Sequence, residues 1–259
     1  IDTETTGLMG GTGTLPFMIG VGFFVDNNFL VRQYFMRDYD EEYPLLIALS
    51  RLWENYDYLV SFNGKSFDLP LLESRFIMNR LTGPTSESHL DLLHISRRVW
   101  NHLPSCSLGS LEGDILDVYR EDDIAGREIP NMYFDYLRDR EAEKIAPIFK
   151  HNLIDIVSLV SLLNHLLNVY NNSGDCKLSS QELYNLGRHW EKRKRVKKSI
   201  DFLERAAEKT NSYHLQEKIA IKLSWQYKRA DKWEKAVQIW KKMIEKKQGK
   251  IFPYVELAK

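Results

Sequence analysis

Cysteine is nearly absent. Cys106 and Cys176 are the only two among 259 residues and stand in unrelated contexts. That excludes a disulfide framework and a Cys-x-x-Cys metal pair, and it makes a reducing cytoplasm the expected compartment. No run approaches the ~20 consecutive apolar residues that a membrane-crossing helix needs. No basic-then-apolar secretory leader is visible either. The chain opens at Ile1 rather than Met, and only Ile1 precedes Asp2. A strand usually runs about five residues, so further residues are expected upstream. Net charge is missing as well, because 36 Lys and Arg balance 36 Asp and Glu. With 43% hydrophobic and 28% charged residues, the composition is that of a soluble globular protein. The length suits one large domain or two modest ones.

The zero net charge hides a split. Residues 173–259 hold 22 basic and 11 acidic residues, and residues 1–172 hold 14 basic and 25 acidic ones. Such asymmetry implies different tasks. An acidic unit tends to need cations, and a basic one tends to meet phosphate. The polar stretch Asn171-Asn172-Ser173-Gly174-Asp175 separates two helical patterns and reads as a breaker. The expected layout is a domain over 1–170, a linker over 171–180 and a helical region over 181–259.

Before the breaker, β-like and helical runs alternate. Phe17 to Val25 and Phe29 to Phe35 flank Asp26-Asn27-Asn28 and predict a hairpin. Tyr43 to Tyr56 carries Leu45, Leu46, Leu49, Leu52 and Trp53 on one helical stripe. Tyr58 to Phe62 predicts a buried strand ending at Asn63-Gly64, and Phe67 to Leu81 is helical again. This order favours an α/β domain with a central sheet flanked by helices.

After the breaker no strand is expected. Gly187, Trp190, Ser199, Leu203 and Ala206 correspond, 37 residues on, to Ser224, Tyr227, Ala236, Trp240 and Met243. Small residues recur where helices approach closely and large ones where they interlock, as in stacked helical hairpins. The pattern resembles tetratricopeptide repeats, whose period is 34. The three extra residues are expected in a loop of the first repeat, and a third repeat is expected to start at Pro253.

Three elements carry chemistry. The first is Asp2-Thr3-Glu4, because residues i and i+2 of a strand share a face. Two adjacent carboxylates repel unless they are protonated or neutralised by a cation, and hard divalent ions suit oxygen ligands. The second is Asp68, which follows a predicted strand and opens a helix, a position that the helix dipole also favours. The third is His151-Asn152-Leu153-Ile154-Asp155. Its i, i+4 spacing puts His151 and Asp155 on one helix face, where an imidazole can take a proton from an attacking water. Each element alone has a bland explanation: a strand edge, a helix-start carboxylate, a satisfied histidine.

Their order, Asp-x-Glu, Asp, His-x3-Asp, resembles the DEDD (DnaQ-like) 3′→5′ exonucleases of the ribonuclease-H-like superfamily. The segments FNGKSFDLPLL (62–72), HLDLL (89–93), RRVW (97–100), SLGSLE (107–112) and IPNMYFDYL (129–137) are similar to the YprB-type bacterial branch, which joins such a domain to tetratricopeptide repeats. The resemblance implies a mixed central sheet flanked by helices and two divalent ions, Mg²⁺ or Mn²⁺. Asp2, Glu4 and Asp155 would hold one ion, and Asp2 and Asp68 the other. His151 would position or deprotonate the water. It implies hydrolysis from the 3′ end of single-stranded nucleic acid, DNA slightly favoured over RNA, with release of nucleoside 5′-monophosphates. His151 stands four residues before the last Asp, the spacing at which the tyrosine type carries its tyrosine. Two alternatives are endonucleolytic cleavage of an RNA–DNA hybrid, and a non-catalytic adaptor that binds a protein partner through its repeats. Among weaker candidates, Asp91, Lys65, Arg97 and Arg98 suit contacts near substrate. Phe62 and Phe67 read as core. The run Lys192 to Lys198 suits either a nucleic-acid backbone or a solvated loop.

Overall fold

The computed structural model describes residues 1–7, 13–83, 88–171 and 177–259. Most of the expected breaker, and Cys176, lie outside the described residues. The chain divides into two units: Ile1–Ile95 with Ser105–His165, and Ser96–Pro104 with Leu166–Lys259.

In the first unit a tight turn sets the sheet. Asp26 takes a left-handed φ of 53°, a conformation that Asp and Asn tolerate better than most residues. It folds β2 (Pro16–Val25) onto β3 (Asn28–Phe35), with Val25 opposite Asn28. Strand β1 (Asp2–Thr5) pairs antiparallel with the other side of β2, Asp2 opposite Gly20 and Glu4 opposite Met18, and the register shifts after Glu4. Strands β4 (Leu59–Ser61) and β5 (His89–Asp91) pair in parallel. The backbone nitrogen of Ile1 donates to the Val60 carbonyl at 2.9 Å, which brings the β1 end beside β4. The strands form a three-stranded antiparallel sheet, β1-β2-β3, and a two-stranded parallel one, β4-β5, so both kinds of pairing expected of a mixed architecture are present.

Helices accompany these strands. They are α1 (Glu42–Trp53), α2 (Asp68–Met78), α3 (Leu92–Val99), α4 (Leu108–Leu116), α5 (Ile129–Asp139) and α6 (Ala146–Asn171). Leu45, Leu46 and Leu49 of α1, Leu72 and Phe76 of α2, and Ile129 and Tyr133 of α5 meet Phe17, Met18 and Ile19 in one core. The Phe17 and Tyr133 rings stack at 3.9 Å, and the Tyr133 hydroxyl donates to the Met36 carbonyl. A buried Arg75–Glu42 pair ties α2 to α1. Residues Ala142–Asn171, α6 included, are long and apolar enough to cross a membrane by length and composition alone. This corrects the expectation that no run approaches that length. Here Ile148, Ile156, Leu159 and Leu162 are buried, and the helix also carries His151, Asn152 and Asp155.

The second unit is helical among its described residues. Ser179 and Glu182 form a reciprocal capping box at the start of α7 (Ser180–Lys192), which satisfies two orphan amides. Helices α8 (Val196–Lys209), α9 (Tyr213–Arg229), α10 (Trp233–Glu245) and α11 (Phe252–Leu257) follow. The 37-residue offset is visible in the coordinates. Lys194 and Asp231 hold the same left-handed turn, at φ 57° and 58°. Lys198 lies over the Trp190 ring as Lys235 lies over Tyr227. Leu203 fills the space where Gly187 lacks a side chain, its Cγ 2.7 Å from where a Cβ would stand. The additional residues do not form a loop of the first repeat. They lengthen α9, which has 17 residues against 13 in α7.

Candidate active site

One strand and two helices supply the four acids. Asp2 and Glu4 come from β1, Asp68 from the first turn of α2, and Asp155 from the third turn of α6. Glu4 and Asp68 are buried. Asp68 accepts from the Thr3 hydroxyl at 2.5 Å. Asp2 accepts from the Asn152 amide at 2.9 Å. Asn152 is itself fixed: it is fully buried, and its oxygen accepts from Gln33 of β3 at 3.0 Å. Gly20 makes room for it, since a Cβ there would lie 2.1 Å from that oxygen. Gly64 likewise admits the turn before Asp68, because a Cβ would meet the Ser61 hydroxyl at 2.3 Å and the Asp68 carboxylate at 3.2 Å.

His151 stands at the rim. Its Nε2 is 3.7 Å from Asp155, and its Nδ1 is 2.7 Å from an Asp123 oxygen. A hydrogen bond that short to a carboxylate puts the proton on Nδ1 and leaves Nε2 as the acceptor when the ring is neutral. Arg120 Nη1, 3.4 Å from the same nitrogen, makes its better bond to Asp123 at 3.0 Å. Arg120 also grips Glu112 through two nitrogens and bonds Asp155. One guanidinium therefore joins α4, the 117–128 segment and α6. Glu112 is buried, so its charge requires such a partner.

Burial dominates the electrostatics. It pushes Asp2 well above the usual carboxylate range, and Asp155, Glu4 and Asp68 push the same way. Burial raises Glu4 to about 7; His151 pulls it down, while Asp155 and Asp68 raise it. Burial raises Asp68 against the Thr3 hydrogen bond, and raises Asp155 against Arg120 and His151. Such a cluster holds its protons to higher pH than free carboxylates do unless a cation offsets it. Among the described residues no three acids or histidines stand ready around one point for a metal. The donor set nevertheless suits one. It is all oxygen, as hard divalent ions prefer, and Glu4 Oε1 is buried without a hydrogen-bond partner. A cavity of about 430 Å³ adjoins the cluster, lined in part by Gly109, Tyr119, Arg120, His151 and Asp155. A second cavity, of about 340 Å³, is lined by apolar residues such as Phe23, Phe29, Trp53 and Leu163 and by no charged group.

A family model described as the RNase_H superfamily matches residues 1–167. The chain belongs to the RNase_H superfamily. Over a 264-residue alignment it is also 32% identical to an uncharacterized protein, YprB of Bacillus subtilis (strain 168), an alignment that takes in all of this chain and 63% of that protein. The chain thus spans less than two thirds of the relative's length. As an RNase H-like protein it carries a nuclease-like domain, whose superfamily acts on nucleic acid and generally uses divalent metals.

The weaker candidates separate. Asp91 is buried, and its carboxylate accepts from the backbone amides of Asn63, Lys65 and Leu93. It holds the turn that precedes Asp68, and those bonds account for it. Lys65, Arg97 and Arg98 are exposed, and Phe62 and Phe67 are half-buried rather than core. Sequence reasoning missed Asn152, Glu112, Arg120, Asp123 and Gly20. Asn152, Glu112 and Gly20 lie within the motifs and the β-like run, where nothing in their spacing marks them; Arg120 and Asp123 join the site through space, 35 and 28 residues from Asp155 and His151.

Proposed function

We propose that this RNase H-like protein is a DEDD-type 3′→5′ exonuclease acting on single-stranded nucleic acid, DNA slightly favoured over RNA, and releasing nucleoside 5′-monophosphates. The convergence of Asp2, Glu4, Asp68 and Asp155, each raised by burial, carries this reading. Asp2, Glu4 and Asp155 would hold one Mg²⁺ or Mn²⁺, and Asp2 and Asp68 the second. When bound, such a pair supplies a nucleophilic hydroxide and stabilises the leaving 3′ oxygen. His151, oriented by Asp123, presents Nε2 beside Asp155 and takes or orients the proton of the attacking water. Asn152 keeps the Asp2 carboxylate turned into the cluster, and Thr3 does the same for Asp68.

In this reading residues 1–170 form the nuclease domain, 171–180 a linker, and 181–259 tetratricopeptide-like repeats that also offer a protein partner a surface. The same reading puts the protein in the cytoplasm, with which its two cysteines are consistent. The test uses 5′-labelled single-stranded DNA and RNA of one sequence, with Mn²⁺ or EDTA, for wild type and Asp68→Ala. The expected result is a Mn²⁺-dependent ladder shortening from the 3′ end and absent in the variant. Equal hydrolysis by Asp68→Ala overturns the proposal.

A further inference from the structure

The turn between α7 and α8 is unusually positive. Lys192, Arg193, Lys194, Arg195, Lys197 and Lys198 are all exposed, and none has a carboxylate within ion-pair distance among the described residues. The nearest acid in sequence, Glu191, is taken by Lys222 and Arg229 of α9. A pocket of about 560 Å³ opens there, lined by Trp190, Lys194, Arg195, Val196, Lys197 and Lys198. Trp190 carries Lys198 over its ring at 4.2 Å, and its buried indole nitrogen has no hydrogen-bond partner.

The second hairpin is an internal control for what the fold itself requires. Its turn has the same backbone, with matching bonds from Arg195 N to the Trp190 carbonyl and from Lys232 N to the Tyr227 carbonyl, both 2.9 Å. The lysine-over-ring contact recurs, so packing explains Lys198 and Lys235. Yet Asp231 stands where the first turn has Lys194, and Glu234 where it has Lys197. The hairpin thus accepts acids at both positions, and folding does not demand the positive charge of the first turn. That charge also leaves its mark nearby: burial, then Arg193, Arg98 and Lys192, press His189 down to about 4. Aromatic rings with cations over them recur across this unit, at Tyr184, Trp190, Phe202, Trp225, Tyr227 and Trp233. Cationic grooves with aromatic platforms suit a single-stranded phosphodiester backbone and its bases.

We infer that the α7–α8 turn binds the phosphate backbone of single-stranded nucleic acid, with Lys194, Arg195 and Lys197 on phosphates and Trp190 as the wall of the pocket. The inference borrows from the exonuclease reading only the class of ligand. The test is binding, measured in EDTA by fluorescence anisotropy with a labelled oligothymidylate of about 20 nucleotides, enough to span several phosphates. The variant Lys194→Asp/Lys197→Glu copies the charges of the second hairpin and therefore keeps the fold, checked by its melting curve. A control, Lys241→Glu/Lys246→Glu, changes the net charge equally at exposed positions elsewhere on the same unit. The first variant should bind at least about tenfold more weakly, and its salt slope should fall by about 1.4, since each phosphate contact on a single strand contributes about 0.7. The control should stay within about twofold of wild type at matched salt. Unchanged affinity and slope in the first variant overturn the inference, as does equal loss in the control. Binding to phosphatidylserine vesicles with none to the oligonucleotide also overturns it and assigns the turn to membranes. A protein that binds without hydrolysing leaves this site standing and removes the exonuclease. Hydrolysis with unimpaired binding by the first variant does the reverse.

Discussion

Gly20→Ala tests how the site is held. A Cβ at position 20 would lie 2.1 Å from Asn152 Oδ1, 2.8 Å from its Cγ and 3.0 Å from its Nδ2. Asn152 cannot retreat freely, because it is fully buried and bonded to both Gln33 and Asp2. Overpacking of this kind costs about 1–3 kcal/mol. Displacing the amide also strips Asp2 of a hydrogen bond, and a typical intramolecular bond contributes about 0.5–1.5 kcal/mol. The expected total is about 2–4 kcal/mol. At about 2–4 °C per kcal/mol for a unit of this size, the melting midpoint should fall by roughly 10 °C. Thermal and urea unfolding, followed by circular dichroism, measure it. A double-mutant cycle isolates the cause: in an Asn152→Ala background the added methyl finds space, and its cost should drop below about 1 kcal/mol. A loss under about 1 kcal/mol in the wild-type background, or the same loss in both, refutes the reasoning.

Three further outcomes follow from the same geometry. Between pH 4.5 and about 7 the folded protein holds more protons at Glu4 than the unfolded one. Stability in EDTA should therefore fall as pH rises through that window, and Glu4→Gln should make the slope shallower, the other raised acids supplying the remainder, and stabilise the protein by about 3 kcal/mol at pH 8; a slope as steep in the variant as in the wild type rejects this. Asp91→Ala leaves three backbone amides without their acceptor and should cost about 2–4 kcal/mol in urea unfolding, whereas a variant as stable as wild type would return Asp91 to the substrate side. Asp123→Asn should lower kcat by at least about tenfold with KM within about twofold, because it loosens the ring to which the proposed function gives the proton; an effect confined to KM contradicts that role.

Much was legible in the sequence because it is local. The hairpin follows from Asp26 and its neighbours, whose side chains tolerate the left-handed turn. The pairing of Asp2 with Glu4 follows from the two-residue period of a strand, and that of His151 with Asp155 from the helical turn. The 37-residue offset survives in the coordinates because like residues meet like packing, down to the lysine over the ring. The expected loop insertion failed for a physical reason: extra residues with helical propensity lengthen α9 rather than leave its backbone amides unpaired.

What the sequence by itself determined, then, was which residue types recur at strand and helix spacing: the acids, the histidine, the repeat, and the asymmetry of charge. Only the tertiary structure decided what those groups face. Arg120 meets Asp155 across 35 residues, Asp123 meets His151 across 28, and Asn152 meets Asp2 across 150. No periodicity links such partners. Burial, which raises the acids and obliges each polar group to find a partner, is a property of the packed chain and not of any segment in it.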